Sequence, residues 1–407
     1  MSEQRTMSEQ RRVSRLAALA WAGGVLGSFG CADAGPASSI GGPARSSSGR
    51  AEQSIIGGLV ATNPLLDHTG TLTFVVRESG ARDALCSASL IGPQTVVTAS
   101  HCISQMAMFE QFGIDVFWSP GPDFNSPLEN IPVVAVEGAP GDEVGFTGFG
   151  RDVGVAHLDE PSEGIPTIGI QPFRRDLLGA SMVTLGYGVS SAVGLVDGLR
   201  HIGRETVTQL QGRALEGLFG DFETFVELVV RGEATSEDAL AAVEADPSLA
   251  DLGALRAEYD GTLLIEDYEV VTGRAPGDTQ SCELDSGGPL AQVTPDGNWE
   301  SFGVVSGGPR LTRPICIFGQ VFAVFGPDTF EFLDAARGWE DPCGNVGVAG
   351  ECAGNLLRRC DSSFAASVRQ LVEQDCAAAG GECLATEAGA SCSVPGPTAP
   401  VAAGDAG

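Results

Sequence analysis

From residue 55 onward the chain alternates short apolar runs with clusters of turn residues. Gly70–Val76, Ala88–Ile91, Thr95–Thr98, Ile131–Val136 and Ser181–Gly186 are rich in Val, Ile, Leu and Thr and read as strands. Their number and spacing predict a β-barrel architecture. Residues 209–262 break this rhythm. Leu215, Leu218, Phe219, Phe222, Phe225, Val226, Val229 and Val230 fall on one helical stripe. Thr235 or Ser236 is placed to cap a second helix ending before Pro247, and Ser248 a third reaching about Tyr259. The segment reads as a helical insertion. Its stripe either packs on the barrel or serves as a lid or exosite.

After Trp339 the pattern changes again. Cys343, Cys352, Cys360, Cys376, Cys383 and Cys392 crowd into residues 339–394. A unit this small buries little core, so three disulfides are expected to hold it. Six cysteines allow 15 pairings, and the sequence leaves them open. With no close Cys-x-x-Cys pair and no histidine there, no metal is expected. Residues 395–407 read as a disordered tail.

The amino terminus reads as a targeting segment. Arg11, Arg12 and Arg15 precede an apolar run from Leu16 to Phe29, the pattern of a secretory signal peptide over 1–34. Two exits are open. Ala32-Asp33-Ala34 fits cleavage between small residues, and Cys31 after Gly30 resembles a lipoprotein anchor site, the one route to a membrane. Residues 35–54 are small and polar and read as a pro-segment or linker. Without Cys31, ten of the 11 cysteines remain, an even number suited to an oxidising, exported location. A formal net charge of −30 argues against nucleic acid as a partner. All 23 basic residues are arginine.

Three segments carry the candidate chemistry: Thr98-Ala99-Ser100-His101-Cys102, Gly150-Arg151-Asp152-Val153 and Cys282-Glu283-Leu284-Asp285-Ser286-Gly287-Gly288-Pro289-Leu290. They supply a histidine, an aspartate and a serine in that order. A serine hydroxyl is a poor nucleophile until an imidazole takes its proton, and the imidazole needs a carboxylate to fix its tautomer. Asp115 also precedes a valine, but it follows His101 too closely to leave room for the intervening strands. His68, His157 and His201 lack a motif and read as surface or satisfied polar groups.

With these motifs, the Ile55-Ile56-Gly57-Gly58 segment and the strand Gly303-Val304-Val305-Ser306-Gly307-Gly308, the chain resembles the chymotrypsin/trypsin-like serine proteases over about Ile55 to Leu333. The resemblance implies two packed six-stranded antiparallel β-barrels over 55–338, with the site in the cleft between them. It implies His101 as general base, Asp152 as orienting carboxylate and Ser286 as nucleophile. Ser306 would donate to Asp152. The backbone N–H groups of Leu284 and Ser286 would form the oxyanion hole, although the family has glycine where this chain has Leu284. The pocket would be read by Gln280, Ser306 and Gly308, with Gly319 or Gln320 at its floor. A neutral Gln280 replaces the aspartate of trypsin-like pockets, so strict Arg/Lys specificity is not expected. Disulfides Cys86–Cys102 and Cys282–Cys316 are implied, as is an activation pair between a new Ile55 ammonium and Asp285.

The expectation is an exported serine endopeptidase, made as a zymogen, acting on proteins or peptides without cofactor or metal. Two rivals stand beside it. One is a protease-fold binding protein with weak or no turnover because of Leu284. The other places the function in the cysteine-rich module, through surface or glycan contact.

Overall fold

A computed structural model describes residues 55–109, 112–141, 150–190, 196–227, 251–307, 319–363, 368–386 and 388–393. The signal, pro-segment and tail expectations lie outside these residues. So do the expected second helix of the insertion, Gly308 and Cys316.

Strand β1 (Leu59–Val60) precedes a closed barrel built from β2 (Thr69–Val76), β3 (Arg82–Gly92), β4 (Thr95–Thr98), β5 (Ile114–Pro120), β6 (Ile131–Gly138) and β7 (Gly154–Leu158). The strand order is β2-β3-β4-β7-β6-β5, and β5 pairs back on β2. Leu72, Leu90, Val96, Trp118 and Leu158 fill its interior. Helix α1 (Ser100–Phe109) leaves the end of β4 and drops Ile103 and Met106 into the same core.

The second barrel comes from β9 (Ser181–Gly186), β10 (His201–Gln209), β11 (Glu269–Thr272), β12 (Pro289–Val293), β13 (Trp299–Gly307) and β14 (Gln320–Val324), after a short β8 (Gly169–Ile170) that pairs β13. It runs β9-β10-β11-β14-β13-β12 and closes because both β10 and β12 pair β9. Met182, Val207, Val270, Leu290, Phe302 and Phe322 form its core. Val97 and Val155 of the first barrel pack with Val304, Ala323, Phe325 and Leu333 of the second. This seam fixes one barrel against the other, and the candidate site straddles it. The architecture agrees with the expected pair of six-stranded barrels.

The insertion departs from the sequence reading in two details. The stripe expected on one helix is split into α2 (Ala214–Phe219) and α3 (Phe222–Val226). Gly220 takes φ 88°, and Asp221 caps the next turn by accepting from the Thr224 N–H at 2.7 Å. A glycine in that region followed by an N-cap residue ends one helix and starts another. Helix α4 (Leu252–Gly261) is capped by Asp251, which accepts from Gly253 and Ala254; the cap expected at Ser248 lies outside the described residues. Leu215, Leu218, Phe219, Phe225, Leu255 and Tyr259 pack together on Val271 and Val321 of the second barrel. The stripe as far as Val226 thus packs on the barrel wall; Val229 and Val230 lie outside the described residues.

Helix α5 (Pro327–Ala336) leads into the cysteine-rich module. Strands β15 (Glu351–Ala353), β16 (Leu356–Ser363) and β17 (Val368–Asp375) form one sheet, and β18 (Cys383–Thr386) pairs β19 (Gly389–Cys392). Of the 15 pairings, the structure takes Cys343–Cys360, Cys352–Cys383 and Cys376–Cys392. The module is tied to the first barrel. Arg369, paired with Asp341 at 2.5 Å within the module, reaches Asp159 just after β7 at 3.1 Å, and Trp339 stacks on His157 with centroids 4.3 Å apart. Among the described residues, no helix is long and apolar enough to cross a membrane.

Candidate active site

His101 sits in the first turn of α1, where β4 ends at the barrel seam. The Cys86–Cys102 disulfide, expected from the resemblance, fastens that turn to β3. The carboxylate of Asp152 grips the same residue twice. Its Oδ1 accepts the His101 backbone N–H at 2.8 Å, and its Oδ2 lies 2.7 Å from His101 Nδ1. Asp152 is fully buried, while the imidazole keeps a small exposed edge. Ser306 Oγ donates to Asp152 Oδ2 at 2.7 Å from the second barrel. A buried carboxylate needs such donors, and here they also fix the ring it faces. Asp115, the alternative aspartate, lies on β5 and pairs with exposed Arg77.

Ser286 is brought to this turn by tight backbone contacts. Its carbonyl accepts the Ser87 N–H at 2.8 Å. Gly287, at φ 83°, follows; a Cβ there would lie 2.1 Å from Thr98 Oγ1 and 2.2 Å from the Ser87 carbonyl oxygen. Only glycine lets the serine-bearing loop approach the histidine-bearing loop so closely. Leu284 adopts φ 71°, a left-handed conformation unusual for a leucine. Its side chain packs beside Ala84, Phe124 and Tyr187, and its carbonyl accepts from Ser87 Oγ at 3.1 Å. Among the described residues, no carbonyl takes the N–H of Leu284 or of Ser286.

The expected pocket residues are placed as follows. Gln280 is buried, and both ends of its amide are occupied. Nε2 donates to the Gly273 carbonyl, and Oε1 accepts the Gly319 N–H at 2.7 Å. Gln320 Nε2 donates to the Ser281 carbonyl. Cys282 is disulfide-bonded; its expected partner Cys316 and the pocket residue Gly308 are not among the described residues.

Ile55 and Asp285 are both fully buried. Ile56 exchanges two backbone hydrogen bonds with Gln280. Asp285 accepts the Gly188 and Cys282 N–H groups, each at 2.8 Å. It is enclosed so closely that a Cβ on Gly186 would lie 2.0 Å from its Oδ1. Burial pushes its pKa up to about 7.

Sequence reasoning missed two further acids. Glu205 on β10 is fully buried and accepts from Thr272 Oγ1 and from the N–H and Oγ of Ser281; burial raises it to about 7. Glu269 on β11 is also buried, with a pKa raised to about 7 by desolvation. For Glu205 the available signal was an acidic residue in the inward slot of an alternating strand; β11 is buried throughout and offered no such signal for Glu269. Of the two alternatives for the other histidines, surface exposure is excluded: His68, His157 and His201 are all buried, with Nδ1 at hydrogen-bond distance from Thr69 Oγ1, Thr95 Oγ1 and the Leu199 carbonyl, and desolvation lowers His157 to about 4 and His68 to about 3. Strands β7 and β10 carry His157 and His201 inward, the turn before β2 carries His68, and a neutral imidazole tolerates burial. Among the described residues, Cys86, His101 and Cys102 lie close enough to suggest metal ligation, but the two sulfurs are joined in a disulfide and offer no thiolate.

The family model for trypsin matches residues 56–215. The match spans the first barrel and His101 and Asp152, and stops inside α2, where the insertion begins; Ser286 lies beyond it. No curated protein matches the chain. The family match and the two six-stranded barrels together support a chymotrypsin/trypsin-like serine protease domain. Such a domain is a hydrolase acting on proteins or peptides.

Proposed function

We propose that the chain is an exported serine endopeptidase working through His101, Asp152 and Ser286. The observation that carries this reading is the double hold of Asp152 on His101, completed by Ser306 from the other barrel. In this reading Asp152 keeps the His101 proton on Nδ1, leaving Nε2 to accept the Ser286 hydroxyl proton as Oγ attacks the scissile carbonyl. The N–H groups of Leu284 and Ser286 receive the developing oxyanion. His101 then returns its proton to the leaving amine, and water cleaves the acyl-enzyme by the same steps in reverse.

The precursor reading rests on Asp285. A carboxylate with two backbone donors, and a pKa pushed up by burial, is poorly served without a cation. The Ile55 ammonium freed by cleavage after Ser54 supplies one, so the protein is a zymogen. Gln280 supports preference for an uncharged residue before the scissile bond, because its amide is already engaged by Gly273 and Gly319. A second reading, a binding protein with weak turnover, draws on the left-handed backbone at Leu284.

Labelling the mature protein with a fluorophosphonate decides between them. We expect one covalent adduct on Ser286, lost in Ser286→Ala and His101→Ala. Peptide hydrolysis should fall by on the order of 10⁶ in each variant. An unlabelled mature protein overturns the peptidase reading.

A further inference from the structure

We propose that Glu269 is a positioning residue for Asp152, acting across the barrel seam by holding the peptide that leads into the aspartate. The inference rests on the reading of Asp152 as the orienting carboxylate. It starts from residues 150–152, the segment that enters β7 of the first barrel. Each of these three consecutive residues is tied across the seam, to β11 and the turn before it, to α5 or to β13. The Gly150 N–H donates to Glu269 Oε1 at 2.5 Å. Arg151 Nη1 donates to Asp328 Oδ2 at 2.7 Å, and its guanidinium lies 3.7 Å over the Tyr268 ring. Tyr268 Oη in turn donates to Asp328 Oδ1 at 2.6 Å. Asp152 receives Ser306.

Of these ties, the one at Glu269 engages both carboxylate oxygens with backbone donors. Its second oxygen, Oε2, accepts the Ile265 N–H at 2.6 Å, on the strand of chain returning from the insertion. One side chain therefore joins two backbone donors from separate loops. Two oxygens without a proton can do this; a glutamine would turn its own NH₂ toward one of the donors. Tyr268 and Glu269 are adjacent, so β11 and the turn before it hold both Gly150 and Arg151. Asp152 is the charged group that acts on Glu269 and helps raise its pKa, and Arg151 is engaged by Asp328 and Tyr268. Two carboxylates thus face the same short segment. One orients the imidazole, and the other fixes where the first one stands. Displacing a positioned group by a fraction of the segment's reach is enough to cost rate.

The test uses the mature full chain and two readouts. In Glu269→Gln we expect kcat on a small ester substrate to fall about tenfold to a hundredfold. KM should stay within about twofold, because the substrate's own contacts are untouched. The kcat–pH profile should lose the ionisation near 7 that Glu269 contributes while keeping that of the general base, a change that loss of packing alone would not produce. The second readout needs no variant and no turnover. In the unaltered protein the Gly150 and Ile265 amide protons should resist solvent exchange and titrate together with one midpoint near 7 in NMR spectra. A Gly150 amide that exchanges freely, or a Glu269→Gln enzyme with wild-type kcat and pH profile, overturns the proposal. If the wild type takes no fluorophosphonate, the peptidase reading fails while the amide readout still decides whether Glu269 holds Gly150.

Discussion

Ser306 Oγ donates at 2.7 Å to the same Asp152 oxygen that faces His101 Nδ1. The two residues are 154 positions apart and belong to different barrels. Their bond makes the orientation of the histidine depend on how the barrels are docked. Ser306→Ala leaves a buried carboxylate one donor short, a loss worth about 1.5–3 kcal/mol for a charged hydrogen bond. We expect kcat to fall about tenfold with KM little changed, measured on a small ester. An unchanged kcat would show that Asp152 holds its position without the serine.

On the proposed zymogen reading, the buried acids give the precursor a defined pH response. Asp285, Glu205 and Glu269 each have a folded pKa raised to about 7. A raised carboxyl pKa means that the folded state binds the proton more tightly than the unfolded chain. Stability from this source is fully present below the unfolded values near pH 4 and is lost as pH rises through about 7. The precursor's melting temperature should therefore decline between pH 5 and roughly 8. Asp285→Asn should flatten part of that decline. Cleavage that frees the Ile55 ammonium should do the same, and amino-terminal sequencing of the active form should read Ile-Ile-Gly-Gly. A pH-independent melting temperature for the precursor would refute this account.

Leu284 holds a backbone conformation that costs an L-residue roughly 1–2 kcal/mol and that glycine adopts freely. Its side chain is partly buried beside Ala84, Phe124 and Tyr187, so the strain is offset by packing. Leu284→Gly should raise turnover of small esters several-fold and weaken resistance to protein inhibitors. If turnover drops instead, the packing of this side chain is what keeps the Leu284 N–H aimed.

Gln280 should give a preference for uncharged residues before the scissile bond in a peptide library. Gln280→Asp should not convert the enzyme to arginine specificity. An aspartate there would present an oxygen to the Gly273 carbonyl, where the amide now donates. That mismatch costs about 1–3 kcal/mol, and the expected result is a lower melting temperature without gained arginine cleavage. Strong arginine cleavage by the wild type would contradict the pocket assignment.

Arg369 ties the cysteine-rich module to the first barrel through Asp159, and its nearly buried pair with Asp341 lies within the module. Removing one partner of a buried pair costs about 3–5 kcal/mol. Arg369→Ala should lower the melting temperature by several degrees and speed proteolytic release of the module. Retained resistance to proteolysis would show that the Trp339–His157 stack holds the module unaided.

Much of this protein is determined locally, and the sequence by itself determined that much. Alternating apolar runs made the strands legible, because the period of two is a property of the pleated backbone. The segments around His101, Asp152 and Ser286 were legible because their chemistry demands particular residue types in short, fixed contexts. The tertiary structure decided what depends on residues far apart in the chain. Gly220 and Asp221 split a stripe that looked continuous, since a helix needs unbroken backbone hydrogen bonds as well as apolar spacing. Which cysteines pair was open until β15–β19 were folded, because a disulfide needs two Cβ atoms brought close from distant positions. Glu205 and Glu269 carry no motif. Their raised pKa values and their hold on Ser281 and Gly150 arise only when packing removes water and supplies specific backbone donors. Burial and docking are sums over many distant contacts, and for that reason they belong to the fold and not to any local stretch of sequence.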